Sequence, residues 1–410
     1  MRRLVRTVSL FAAVVTFAVM GFVTYLNYQI PDSFYVFDTE NFSMEQLPSV
    51  QADPAVPQES PAGTSTSRSR ETPLKLLGII PIKTTYLHEV DEQYVVPCGT
   101  PFGLKMLTDG VVVVGLNPVE TAAGTLYPAR DAGIRKGDVI LKANGRAVSG
   151  NQDLTEQIRR CGGKSVAFTL RRGEAELTVC VTPAKASSDG EYRCGIWVRD
   201  SSAGIGTVTF YDPATGVFGG LGHAVCDVDT GETMPLSSGQ VVPVQINGVR
   251  KGQVGTPGEL QGSFLSSFAC GSLSLNNETG VYGVLTRNPA PSREAVPLCL
   301  RQEVEEGPAQ ILTTVAGTTP ELYDIVIEKV NIGDNTPTKN MVIRITDQRL
   351  LELTGGIVQG MSGSPILQKG RLAGAVTHVL VNDPTRGYGI FSENMLENSK
   401  KAEIAANPAA

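Results

Sequence analysis

Histidine is scarce in this chain, with three in 410 residues, at positions 88, 223 and 378. Any reaction that needs an imidazole therefore has three candidates at most. The seven cysteines are scattered, with no Cys-x-x-Cys pair and no Cys/His cluster, which excludes the ligand spacing of a zinc site. No metal or cofactor is expected. The odd number leaves at least one thiol free or bonded to another chain, and spacing alone assigns no disulfide framework. Basic excess is also missing: the net charge is −6, which gives no reason to expect nucleic acid as a partner. Long helical periodicities are few, whereas 44 glycines and 25 prolines without a period point to many turns and short strands.

One long apolar run is present. Arg2, Arg3 and Arg6 precede a stretch that carries no charge until Asp32, and its core from Val8 to Leu26 is 19 residues. A helix of that length crosses a hydrocarbon layer of ~30 Å. No Ala-x-Ala-like site follows it, which favours an uncleaved signal-anchor over residues 1–31 rather than a cleaved signal peptide. The arginines before it and the acidic residues after it place the bulk of the chain outside the cytoplasm. Residues 32–73, rich in Pro, Ser, Thr and Gln, read as a flexible stalk. Residues 74–95 read as connecting strands, with His88 a solvated loop histidine at their polar end.

Residues 96–185 follow a distinct order. "CGTPFGLKM" sets a loop before a strand, and "DGVVVVGL" is a second strand. A short helix from Pro128 to Ala132 stops at Gly133, Asn144-Gly145 makes a hairpin turn, and "NQDLTEQIRRC" is a helix closed by Gly162-Gly163. A final hairpin, "SVAFTLRRGEAELTVCVTP", completes the unit. This order resembles a PDZ domain. The resemblance implies that Phe102, Gly103 and Leu104 bind the carboxylate of a peptide ligand through backbone N–H groups, the peptide adding as a strand.

From residue 190 to 400 short apolar runs recur between Gly, Pro, Asn and Asp, which predicts a mainly β sandwich or barrel, of the size of two packed six-stranded barrels or a similar construction, with a helical tail. Within it, "GGIVQGMSGSPIL" crowds Ser362 and Ser364 among glycines, as either a tight turn or a loop that presents a nucleophile. A serine hydroxyl needs a base within reach, and His223, framed by Gly219, Gly220 and Gly222, is the candidate. His378 alternates with apolar residues and reads as a sheet residue.

"GMSGSP" resembles the nucleophile loop of chymotrypsin-like serine proteases. That register makes Ser362 the nucleophile, places the oxyanion hole at the N–H groups of Gly360 and Ser362, and leaves Ser364 packed beside them. More closely, "LGHAV" and "TGGIVQGMSGSPILQ" resemble the stage IV sporulation protein B peptidases, which also run anchor, PDZ domain, peptidase. The resemblance points to Asp347 as the acid of a triad with His223 and Ser362, with Asp227 and Asp229 as the open alternatives. It further implies a serine endopeptidase that cleaves itself near its amino terminus and cleaves a membrane-bound regulator of an intramembrane protease. That cleavage starts a sporulation signalling cascade which ends in sigma-factor processing. The competing readings are a general envelope quality-control PDZ protease and a non-enzymatic PDZ adaptor.

Overall fold

A computed structural model describes residues 2–53, 69–266, 268–333 and 336–406. The apolar run forms the helix Arg2–Gln29, and its Leu4–Gln29 portion is long and apolar enough to cross a membrane. Beyond it the chain is mainly β.

The region expected to be a stalk is structured where it is described. Ser33–Val36, Val50–Ala52 and Ser69–Leu76 join Ile80–Glu89 in a four-stranded sheet, because Phe34, Val36, Met44 and Val50 are apolar enough to be buried. Residues 54–68 of that stretch lie outside the described residues. His88 sits in the last of these strands, half-buried and facing Tyr35, rather than in a solvated loop.

Two barrels follow. The second is closed by Gly307–Thr313, Glu321–Val330, Met341–Ile345, Asp383–Phe391, Arg371–Leu380 and Pro365–Gln368, in that spatial order. The first contains a strand from outside the expected peptidase region. Pro101–Leu116 pairs on one edge with Ser238–Arg250 and on the other with Ile196–Tyr211. Together with Gly271–Asn277, Gly280–Leu285 and Val217–Gly220 these close a ring of six strands.

The same strand continues into the PDZ unit. Phe102, Leu104 and Met106 alternate into the first barrel's core, whereas Val111 and Val113 enter the PDZ core with Ile140, Leu154, Ile158 and Phe168. The ribbon bends between them at Gly110, where φ is +80° and a Cβ would lie 2.4 Å from the Ile140 carbonyl oxygen. That approach admits glycine only. The PDZ unit is thus inserted between two neighbouring strands of the first barrel. The boundary expected between residues 96–185 and 190–400 is crossed by both strands of the ribbon.

Within the PDZ unit the helix Asn151–Arg160 and the Asn144-Gly145 turn, with φ of +51° and +78°, lie where the sequence places them. The tail is the helix Ser392–Ala406.

Candidate active site

The helix Gln348–Thr354 leads straight into the Gly-Ser loop and ends on Gly355 in the left-handed conformation. The loop is fastened to the first barrel by one strand. Thr207 donates its N–H to the Ser362 carbonyl at 3.1 Å and its hydroxyl to the Gly360 carbonyl at 2.8 Å. Thr209 donates its hydroxyl to the Gly363 carbonyl at 2.7 Å. Gly363 answers why glycine is needed here: its φ is +93°, and a Cβ would lie 2.1 Å from the Thr207 carbonyl oxygen and 2.5 Å from the Leu221 nitrogen. Contacts under 3 Å are not tolerated, so a side chain would push the two barrels apart.

The two serines differ in environment. Ser364 is fully buried and donates to Thr313 Oγ1, or to the Met361 carbonyl at 2.6 Å. Ser362 opens onto the cleft, and its hydroxyl donates to the Thr377 carbonyl at 2.8 Å. The amides of Gly360 and Ser362 have no hydrogen-bond acceptor among the described residues. Two free donors beside a cleft-facing, half-buried hydroxyl are the elements of an oxyanion site.

His223 follows a turn in which Leu221 and Gly222 both have positive φ, +65° and +70°. Gly222 packs against Thr377 and Ile390 of the second barrel, which brings His223 to the junction. Its Nδ1 lies 2.8 Å from the Ala224 carbonyl oxygen. Nδ1–H donates to that carbonyl, and Nε2 is left as the proton acceptor. Burial holds the imidazole below its ordinary pKa, so it is neutral and basic at neutral pH.

The acid expected from the sequence is elsewhere. Asp347 caps the helix Gln348–Thr354, accepting from the Arg349 amide at 2.9 Å and from the Arg349 side chain at 2.8 Å. Hydrogen bonding from Arg349 is the main cause that holds its carboxyl below the usual range. Every hydrogen bond it makes lies within its own barrel, and it does not line the cleft. Asp227 and Asp229 turn to Arg199 instead. Among the described residues no carboxylate lines the cleft. His378 does: its ring centroid is 5.0 Å from that of His223, and its pKa is lowered by burial, then by His223 and Lys339.

The peptide-binding expectation for Phe102, Gly103 and Leu104 is also corrected. These residues are mid-strand, paired with Gly204–Gly206 on one side and Val241–Pro243 on the other. Phe102 and Leu104 are buried, and no N–H groups of a free loop remain for a carboxylate. An open strand edge exists instead at residues 196–199, which pair with 112–116 on one side and have the helix Asn151–Arg160 nearby.

His223, Ser362, Gly360 and Thr377 meet in a cleft of about 470 Å³ between the barrels, with Ser202, Ile205 and Val358 in its walls. Sequence reasoning missed Thr207, Thr209, Thr377 and Ala224. Each acts on the site through a hydroxyl or a carbonyl that fastens backbone, which leaves no motif.

Fold and cleft define a PDZ-bearing, double-barrel chain with a serine–histidine site. The PDZ domain model matches residues 102–182, and the model of the SpoIVB peptidase S55 family matches residues 190–396. The chain belongs to the SpoIVB peptidase S55 family. It is also similar to serine protease HTRA1 of Xenopus tropicalis, 32% identical over 56 residues, which is 14% of this chain and 12% of that protein. The chain thus spans about an eighth of the length of that relative. Among solved structures it is similar to the PDZ domain of the SdrC-like protein from Listeria monocytogenes, with 23% identity, 22% of this chain, 87% of the other and a TM-score of 0.18. For the HtrA-type protease AlgW with decapeptide the values are 12%, 50%, 54% and 0.29.

Proposed function

We propose that this chain is a membrane-anchored serine endopeptidase whose folded bulk lies outside the cytoplasm. The convergence of the Ser362 hydroxyl, the neutral His223 ring and the two unpartnered amides of Gly360 and Ser362 on one cleft carries the reading. For attack, the Ser362 hydroxyl leaves the Thr377 carbonyl and gives its proton to His223 Nε2 as Oγ bonds to the substrate carbonyl carbon. The negative charge moves to the carbonyl oxygen, which the two amides receive. His223 then returns the proton to the leaving amine. The Ala224 carbonyl fixes the imidazole tautomer, the orienting part of the role that a carboxylate has in a triad.

Family membership supports a narrow substrate range: the chain's own amino-terminal region and a membrane-bound regulator of an intramembrane protease, in the cascade leading to sigma-factor processing during sporulation. A peptide ligand of the PDZ unit would add to the open edge at residues 196–199.

A fluorophosphonate probe on the purified full chain tests the chemistry. Label on Ser362, lost in Ser362→Ala and His223→Ala with unchanged melting temperature, is expected. Label on Ser364, or undiminished label in Ser362→Ala, overturns it. Fast degradation of unfolded casein would replace the signalling role with envelope quality control.

A further inference from the structure

We propose that the turn Leu77-Gly78-Ile79 is a second membrane contact, set in the same leaflet as the end of the anchor helix. The inference rests on the reading of Arg2–Gln29 as a membrane span.

The turn joins Ser69–Leu76 to Ile80–Glu89 and presents two large apolar side chains outward, Leu77 at 65% exposure and Ile79 at 80%. Leu77 and Gly78 both have positive φ, +54° and +73°. A leucine in that conformation is strained; its N–H donates to the Ser49 carbonyl at 2.7 Å, while its side chain stays largely exposed.

The position of the turn names its partner. Ser33–Val36, just after the helix, runs parallel to the strand from Tyr86 to Glu89. Going back along both segments therefore leads toward the membrane on each. Asn27 donates its side-chain N–H to the Ile82 carbonyl at 2.9 Å, and Lys83 donates to the Ile30 carbonyl at 2.9 Å and pairs with Asp32. Leu26, Ile30 and Ile82 share one buried cluster, with Val23 and Ile80 packed against it. The hairpin is thus fixed to the last turns of the helix and climbs beside them.

Depth follows from geometry. From Ile82 to the tip is roughly 7–10 Å of extended chain, equal to about 5–7 residues of helix. The tip therefore stands level with residues around 20–22. The apolar core of the helix runs from Val8 to Leu26, about what a bilayer core needs, so this level lies in the outer acyl region, just inside the boundary with the headgroups. Tyr25 and Tyr28 are exposed on the helix just beyond this level, the side chains that favour the headgroup zone. A strained, exposed leucine and an exposed isoleucine beside a membrane helix, at that depth, fit an acyl-chain surface.

The full chain, with its single Trp197 changed to Phe, gives a clean reporter background. Tryptophan is placed in turn at Phe17, Leu77, Ile79 and Glu174 in vesicles of phosphatidylcholine and phosphatidylglycerol whose acyl chains carry bromine. Phe17→Trp reports the anchor, and Glu174→Trp reports an exposed turn of the PDZ unit. Quenching of Leu77→Trp or Ile79→Trp by at least half as much as Phe17→Trp, with a blue-shifted emission, is expected. If both match unquenched Glu174→Trp while Phe17→Trp is quenched, the proposal fails and the anchor stands. If Phe17→Trp is also unquenched, the anchor reading falls and takes the proposal with it.

Discussion

Thr207 holds two backbone carbonyls of the Gly-Ser loop at once, through its N–H and its hydroxyl. Thr207→Val keeps the shape and the N–H but removes the bond to Gly360. The expected stability loss is about 1 kcal/mol, the ordinary net worth of one hydrogen bond. The expected activity loss is larger, because an oxyanion donor that is misaimed costs on the order of 10²-fold in kcat. Denaturant melts and peptide kinetics on the same variant separate the two. Gly363→Ala should fail on both counts, since its new methyl meets backbone rather than a side chain that can give way. A Gly363→Ala enzyme with normal kcat would show that the barrels are not held as described.

At the same scale, His223 resists protonation because it is buried. Only its neutral form can accept the serine proton, so kcat/KM should rise with pH through a midpoint below the ordinary histidine value of 6.5. A pH–rate profile on a short peptide measures it, and a midpoint at or above 6.5 would contradict the burial. That His223 and Ser362 share a cleft was legible in sequence because glycines mark places where backbone must bend or approach closely, as at Gly222 and Gly363. Thr377 and Ala224 were not. They contribute carbonyl oxygens, which every residue owns.

Among the elements, the helix Gln348–Thr354 matters most, because it leads into the loop that carries Ser362. Asp347 is its cap and also grips Arg349, whose guanidinium donates to the Leu322 carbonyl at 2.9 Å. Asp347→Ala should lose about 1 kcal/mol of stability and reduce activity by loosening the loop. Asp347→Asn still caps a helix, so it should keep most of both. A triad acid would behave otherwise, as the same change then costs about 10⁴-fold in kcat. Comparing kcat of the two variants decides between the roles. With its carboxyl pKa depressed, Asp347 stabilises the fold above the ordinary 3.8, and that contribution is lost as pH falls through the lower folded value. The family resemblance pointed to Asp347 as a triad acid, yet the stretch from it to Ser362, fifteen positions on, is a helix and its exit turn, which spends the separation within one barrel.

For the molecule as a whole, the sequence pointed to a PDZ-like unit and a β region of double-barrel size but not that the PDZ unit interrupts the first barrel. The signal was present in Phe102, Leu104 and Met106, whose alternation belongs to a buried strand rather than a binding loop. The insertion makes a sharp prediction for dissection. Leu107 and Ser201 are paired neighbours, so joining Thr108 to Asp200 through an Asn-Gly turn should close the ribbon and leave a folded barrel. Removing residues 96–185 instead takes out a barrel strand. The first deletion is expected to melt cooperatively and label with a fluorophosphonate, and the second to do neither. Equal behaviour of the two would refute the shared strand.

The shared strand also sets an order on how the chain acquires its shape. Residues 101–107 are synthesised about 90 residues before Ile196–Tyr211 and about 130 before Ser238–Arg250, their two partners. Until both arrive, an apolar strand waits with two unpaired edges, the state most prone to aggregate. Local contacts let the PDZ unit fold meanwhile, and its folding brings the ends of the ribbon together. That shortens the loop the barrel has to close and lowers its entropic cost. The inserted module thus acts as a scaffold for the barrel's assembly, and refolding after dilution from denaturant should show the PDZ core protected from hydrogen exchange before the first barrel.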